Sequence, residues 1–457
     1  MKRSMIGLTL ICAVLLTSGA ICRNSGQQPD AFTLTYWTVY TDSANITAVV
    51  DAFQAKYPYI DIEVKTFRLE EYEDKLIEGW AEGDGPDIFS LPNSHIGAFT
   101  DLILPIPAAL SMTSVTTQES LGRKETVIEK ESIRGISAPQ VNSLFPQVVY
   151  DDVVKADVDG AQVYGLPITL DTLVLYYNKD LLDQANIALP AATWDDFVKQ
   201  VPLLTLVDIS DNIIQSGAAL GTSNNVPRMF DIVSLLMMQN GATMTSGSSV
   251  EFSRATERGG DIIPGVQAVE FYTSFANPAV EWYSWTEDQP NALEQFIAGK
   301  TAYYLGYYYD LETIQDRGGQ LNFGVAAVPQ VSADPNAAVN YANYWVETVS
   351  VNTTHKDAAW AFVQALTTTE ANVETVLTAQ PQPAALRTLI DTQQTGEDLT
   401  LAVFANQTLT AQSWYAGEKP AEAETAFVDM IDIVNEGRLD VLTAVENTAD
   451  KVKLTYE

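Results

Sequence analysis

Cysteine is nearly absent from this chain of 457 residues, which holds only Cys12 and Cys22, both close to the N-terminus. The body that follows therefore carries no disulfide, no thiolate metal site and no cysteine nucleophile. Histidine is as scarce, with His95 and His355 the whole supply. Two distant histidines make no metal cluster, and no G-x-S-x-G elbow accompanies either of them. Basic residues are few as well: 25 Lys and Arg stand against 59 Asp and Glu, a formal charge of −34. Such a chain repels a phosphate backbone, so no nucleic-acid partner is expected, and the surplus acid reads first as a solubility device. Beyond the first turns of sequence no apolar run approaches the roughly eighteen residues that span a bilayer. Gly299-Lys300-Thr301 has the ending of a phosphate loop but lacks its upstream glycine spacing. No cofactor and no metal are expected.

What is present begins with a signal. Lys2 and Arg3 precede the apolar run Met5 to Leu16, and small residues follow from Thr17 to Ala20. That order of charge, apolar run and small residues reads as a secretory leader over residues 1–22. Cys22 is then a candidate for lipid modification, with residues 23–30 as a polar tether. Gly19, Ala20 and Ile21 depart from the usual lipobox, and Ser18 with Ala20 also makes an ordinary cleavage site. Both outcomes stay open: a lipid anchor on the extracytoplasmic face of the membrane, or release into the periplasm.

With 46% hydrophobic residues, the exported body can bury a large core and is long enough for two domains. Phe32, Leu34 and Tyr36 alternate with threonines as a half-buried strand does. Ile46, Val49, Val50, Phe53 and Tyr57 recur at helical spacing until Pro58, and Ile60, Ile62 and Val64 alternate again. A second helix is predicted through Leu69, Tyr72, Leu76 and Trp80, ended by Gly83-Asp84-Gly85-Pro86 and followed by an apolar strand from Ile88 to Leu91. Strand, helix, strand, helix, strand implies a parallel α/β sheet. The polar segment 111–149 reads as an insertion with a helix around Glu119 to Ser132. A strongly β-prone run, Leu173 to Tyr177, comes later.

Several segments in order then resemble one family. They are LTYWTVYTDSANITAVVDAFQAKYPYIDIEV (34–64), AEGDGPDIFSL (81–91), VYGLPITLDTLVLYYNKDLLDQANIALPAATWDDFVKQ (163–200), EQFIAGKTAYYLGYYYDLETI (294–314), FGVAAVPQ (323–330) and the stretch 344–386. Together they are similar to the extracellular solute-binding proteins of ABC importers, the maltose-binding-protein-like carbohydrate receptors. The resemblance implies an α/β, two-lobed periplasmic-binding-protein-like fold, each lobe a mainly parallel sheet flanked by helices, joined by a multi-strand hinge. By analogy the chain crosses between lobes near 168–172, 346–350 and 383–386. The expected lobes are 31–169 with 350–385, and 170–349 with 386–457. The expected function is capture of a sugar or oligosaccharide for a membrane permease, by a monomer and without catalysis. Tyr307-Tyr308-Tyr309 stands where the family often has tryptophan.

Sugars offer apolar C–H faces and a rim of hydroxyls, so receptors stack aromatic rings on the faces and aim carboxylates and amides at the hydroxyls. The candidate ligand residues are Trp37, Tyr40, Asp42, Asp171, Trp282, Tyr307, Tyr308, Trp345, Glu347 and Trp414. Trp37 and Tyr40 leave the first strand at its carboxyl end, where open parallel sheets bind ligands. The resemblance sets Trp345 and Glu347 beside a hinge crossing. Within 307–309 one or two rings are expected to face the cleft, since neighbours in an extended segment point opposite ways. An acid near a helix start serves equally as a cap, which applies to Asp42 and Asp171. Trp80 and Trp360 sit at helical spacing and belong to the core. Two other readings stay open: a receptor for a polyamine or peptide, and a secreted glycoside hydrolase, because two carboxylates among 59 acids can always meet in space.

Overall fold

The computed structural model describes residues 29–39, 43–120, 123–157, 160–210, 212–256 and 260–456. The expected leader, the expected tether up to residue 28, Cys22, Tyr40 and Asp42 lie outside the described residues. The opening α/β run forms as the residue pattern requires. β1 (Phe32–Thr38) buries Leu34 and Tyr36, and α1 (Ser43–Lys56) buries Ile46, Val49, Val50 and Phe53 on one stripe. β2 (Ile60–Thr66) pairs parallel with β1. α2 (Leu69–Glu82) places Glu70 and Glu71 in its first turn, favourable to the helix dipole, and ends on Gly83 at φ 84°. β3 (Ile88–Pro92) is buried along almost its whole length and pairs parallel with β1.

The polar segment gives the first correction. Instead of a helix around 119–132, β4 (Ala109–Ser120) and β5 (Arg123–Arg134) form a long antiparallel hairpin. Its sequence is dense in Thr, Val and Ile, which lose rotamer freedom in a helix and pack well on a pleated surface. Leu110 and Met112 turn inward, opposite Ile133 and Glu131. Two short helices follow, α3 (Ala138–Leu144) and α4 (Gln147–Val153), then a small hairpin of β6 (Val154–Asp157) and β7 (Gly160–Val163).

After β8 (Asp171–Thr172) and β9 (Val174–Asn178) come α5 (Lys179–Gln184), α6 (Trp194–Leu204), β10 (Leu206–Val207) and β11 (Ile213–Ala218). α6 starts where the sequence placed it, with Thr193 Oγ1 accepting the Asp196 N–H at 3.2 Å. α7 (Met229–Gln239), a two-residue ladder of β12 (Thr245–Ser246) with β13 (Ser249–Val250), α8 (Pro264–Ser274) and α9 (Ala292–Ile297) lead to β14 (Thr301–Gly306). Gly299-Lys300-Thr301 thus feeds a buried strand, and no helix follows it to hold a phosphate. α10 (Tyr308–Arg317) and β15 (Phe323–Ala327) complete the second sheet, in the order β10-β11-β14-β9-β15. Here "mainly parallel" is corrected. Only β11 and β14, joined through helices, run parallel, whereas β9 arrives from the other body and opposes both β14 and β15.

The chain then returns through β16 (Asn340–Asn343) to β17 (Trp345–Val349), which closes the first sheet in the order β17-β3-β1-β2. β17 covers the open edge of β3, so its residues join the first core rather than the second, some residues before the expected boundary at 349. α11 (Lys356–Thr368), α12 (Glu370–Ala379), α13 (Arg387–Gln394), α14 (Leu399–Thr408), β18 (Ala411–Gln412), α15 (Pro420–Asn435) and α16 (Val441–Lys453) finish the chain. Leu389 and Ile390 of α13 also pack in the first core.

The buried apolar residues fall into two clusters, one per lobe. Between them three chain passes touch: Leu166 bridges Glu347, Thr169 bridges Ala384, and Asp171 pairs with Asn343. Among the described residues no helix is long and apolar enough to cross a membrane. Trp360 is fully buried, its indole N–H donating to the Leu104 carbonyl at 3.0 Å.

Candidate functional site

A cavity of about 280 Å³ opens between the lobes. On one side it is walled by Thr38 and Ser90, near the carboxyl ends of β1 and β3, by the turn Asn93–His95 and by Trp345 and Glu347 of β17. On the other side stand Arg228, Phe230 and Asp231 at the start of α7, and Tyr308 and Tyr309 at the start of α10. Thr169 and Asp171 line the hinge side.

The polar groups of this cavity are held, not loose. Glu347 is buried, and its Oε2 accepts from Tyr36 OH at 2.7 Å and Ser90 Oγ at 2.6 Å. Burial pushes its carboxyl up to about 7, against the downward pull of the Ser90 and Tyr36 hydrogen bonds. Asp171 fixes the hinge to the next helix, Oδ2 accepting the Tyr308 N–H at 2.8 Å and Oδ1 the Thr172 N–H at 2.8 Å. Burial raises its carboxyl well above the usual range, opposed by those backbone donors. Asp231 accepts from Arg228 Nε at 2.9 Å and from Tyr307 OH at 2.7 Å, and the Arg228 guanidinium lies 5.4 Å from the Tyr307 ring centre. His95 is driven down to about 4 by burial and stands neutral at pH 7. Among the described residues no group of three or more His, Cys, Asp or Glu side chains is placed to hold a metal.

The model of the bacterial extracellular solute-binding protein family matches residues 48–403 of this chain. The chain belongs to that family. A galactooligosaccharide-binding protein of Bacillus subtilis is 26% identical over 196 residues, an alignment spanning 42% of this chain and 39% of that protein. Two solved structures share the fold of this solute-binding protein. The cyclic α-maltosyl-1,6-maltose-binding protein of Arthrobacter globiformis superposes with a TM-score of 0.70 at 15% identity, over 93% of this chain and 99% of the other. The sugar-binding protein of Xanthomonas citri gives 0.69 at 17% identity, over 93% and 97%.

In this solute-binding protein four of the sequence candidates, Asp171, Tyr308, Trp345 and Glu347, meet at the cavity wall. The others are placed differently. Trp37 is buried against Phe67, 4.8 Å between ring centres, because strand alternation sends Thr38 to the cavity and Trp37 to the opposite face. Tyr307 is fully buried with its hydroxyl on Asp231. The expected alternation through 307–309 fails because α10 begins at Tyr308, so Tyr308 and Tyr309 share the helix start and both line the cavity. Gly306 makes that junction possible, since a Cβ there would collide with Asp310 and the Tyr304 ring. Trp282 spends its indole N–H on Ser274 Oγ at 2.7 Å, outside the cavity. Trp414 donates to Ser234 Oγ at 2.9 Å and packs behind the wall, against Phe230 at 5.7 Å and Tyr415 at 5.6 Å.

Sequence reasoning missed Arg228 and Asp231. One signal was available: an arginine stands at the positive end of an apolar helix, where the dipole disfavours it, with an aspartate three residues on.

Proposed function

We propose that this protein is the binding subunit of an ABC importer, capturing a short saccharide between its lobes and presenting it to a membrane permease. The observation that carries the reading is the cavity itself. Trp345, Tyr308 and Tyr309 offer rings for sugar faces, while Asp171, Asp231 and Glu347 offer carboxylates for hydroxyls, and the two sets come from both lobes and the hinge. A volume near the low end of small-ligand pockets, about 300–1,000 Å³, favours a short saccharide. Ligand contact with both walls would stabilise the closed arrangement and shift the population toward it, the state a permease can read. The Bacillus relative, named for galactooligosaccharides, agrees with this class. The same reading places the protein outside the cytoplasm as a monomer without catalytic role, with Cys22 as its lipid anchor, and keeps Asp171, Tyr308, Trp345 and Glu347 as ligand contacts.

A second reading has one observation in its favour. Among the described residues Asp171, Asp231, Glu347 and Glu424 line the cavity against the single cation Arg228, which suits a polyamine. Tryptophan fluorescence and thermal shift of the body from Asp30 onward, against saccharides, peptides and polyamines with each ligand checked for breakdown, separates these. A saturable response to an intact saccharide, weakened about tenfold or more by Trp345→Ala, is the expected result. A response to amines alone would overturn the sugar class, and sugar hydrolysis would overturn the binding reading in favour of a glycoside hydrolase.

A further inference from the structure

Asp152 lies in α4, behind the cavity, and does not line it. Yet all three side chains that donate to its carboxylate do. Asn93 Nδ2 and Tyr344 OH reach Oδ2 at 2.9 and 2.7 Å, and Ser413 Oγ donates to Oδ1. Asn93 follows β3 and Tyr344 packs in the first core, whereas Ser413 adjoins Trp414 and Tyr415 of the second. One arm of this carboxylate therefore reaches the junction at which the chain passes from Ala411 of the first core to Trp414 of the second. A carboxylate enclosed in this way needs its donors, because losing one leaves charge buried with less compensation.

The backbone makes a second crossing nearby. Gly97, in the turn after β3, meets the chain at Ala416 and Gly417 of the other lobe. A Cβ on Gly97 would stand 2.8 Å from the Ala416 carbonyl carbon and closer still to both carbonyl oxygens. Gly97 is not among the glycines at positive φ, so its own turn would accept a side chain. The atoms nearest to one belong to the opposing lobe.

We propose that Asp152 is a positioning residue and Gly97 a docking point which together hold the two lobes in the ligand-retaining arrangement. Closing the lobes and setting Ser413 on the cavity wall are then one event, on a carboxylate that already holds Asn93 and Tyr344. With the lobes apart, Asp152 keeps Asn93 and Tyr344 from its own lobe and loses only Ser413. The proposal rests on the cavity being the ligand site, and it locates the closure contact away from the ligand.

Gly97→Ala tests it most cleanly, since the added methyl meets first the Ala416 and Gly417 carbonyls of the other lobe. Apparent affinity falls by the fraction of molecules able to close. Titration calorimetry with β-1,4-galactotriose is expected to show binding weakened about tenfold, with the unfolding temperature of the ligand-free protein unchanged. Ser413→Ala and Asp152→Ala should each weaken binding, and the double variant should be little worse than Asp152→Ala, because they break one interaction. Additive effects would reduce Asp152 to a merely structural residue and sink its part. Wild-type affinity in Gly97→Ala would sink the docking point. Should the wild-type chain bind no galactotriose, the sugar reading fails separately, and small-angle X-ray scattering of the proteins saturated with whichever saccharide, peptide or polyamine does bind still decides: a larger radius of gyration in Gly97→Ala than in wild type supports the contact, and equal radii overturn it.

Discussion

Glu347 shows how much one side chain can report. Its carboxyl is pushed from 4.5 to about 7, so the folded chain holds a proton that the unfolded chain releases. The stability linked to this group is therefore fully present below about pH 4.5 and is lost as pH rises through about 7, a change on the order of 3 kcal/mol. Glu347→Gln stays neutral and still offers an acceptor to Ser90 and Tyr36. Denaturant unfolding at about pH 4 and about pH 8 is expected to show the variant equal to wild type in acid and more stable in base. An identical pH dependence in the two proteins would mean that the Glu347 carboxyl titrates alike in the folded and unfolded chains. At this scale the sequence was informative where position along an element decided the outcome. Asp171, Trp345 and Glu347 follow from their places beside hinge strands, whereas Trp37 and Trp414 carry the right chemistry on faces that only packing assigns.

Among the elements, the β4–β5 hairpin is the clearest departure from sequence expectation, and it is separable from the site. None of its described residues lines the cavity. Its base is tied down by Tyr57 OH donating to Glu131 at 2.6 Å and by the Lys56–Glu131 ion pair at 3.0 Å. Thr113 and Lys130 are register partners, so residues 114–129 can be replaced by an Asn-Gly turn without changing the pairing below them. The shortened protein is expected to lose about 1–3 kcal/mol with the burial of Val115 and Val127, and to bind its ligand with unchanged affinity. A large loss of affinity at full folding would assign the hairpin a part in closure. The hairpin was illegible because Ser, Thr and Glu read as polar insertion. The deciding feature was the period-two alternation of the buried positions Leu110, Met112 and Ser114, in which a polar residue stands among the apolar ones. The second sheet was misread for another reason. Strand direction depends on which lobe a strand enters from, and residue pattern carries no direction.

For the molecule as a whole, charge is the dominant unsolved stress. At −34 the compact state repels itself, and raising salt from about 0.1 M to about 1 M shortens the screening length from about 10 to about 3 Å. Calorimetric scans across that range are expected to show the unfolding temperature climbing by several degrees. A flat or falling profile would mean that attractive pairs such as Arg317–Glu294 and Lys451–Asp429 outweigh the net repulsion. By itself the sequence determined what local chemistry dictates: a body without cysteine after Cys22, the opening β-α-β-α-β run, and an ordered set of segments specific enough to indicate the family and its two lobes. The tertiary structure alone decided that β17 joins the first sheet, that the second sheet is mixed, that Arg228 and Asp231 face the cavity, and that Asp152 and Gly97 meet the opposite lobe. These depend on contacts between residues hundreds of positions apart, and periodicity and propensity, which act within a few turns or strands, carry no information about them.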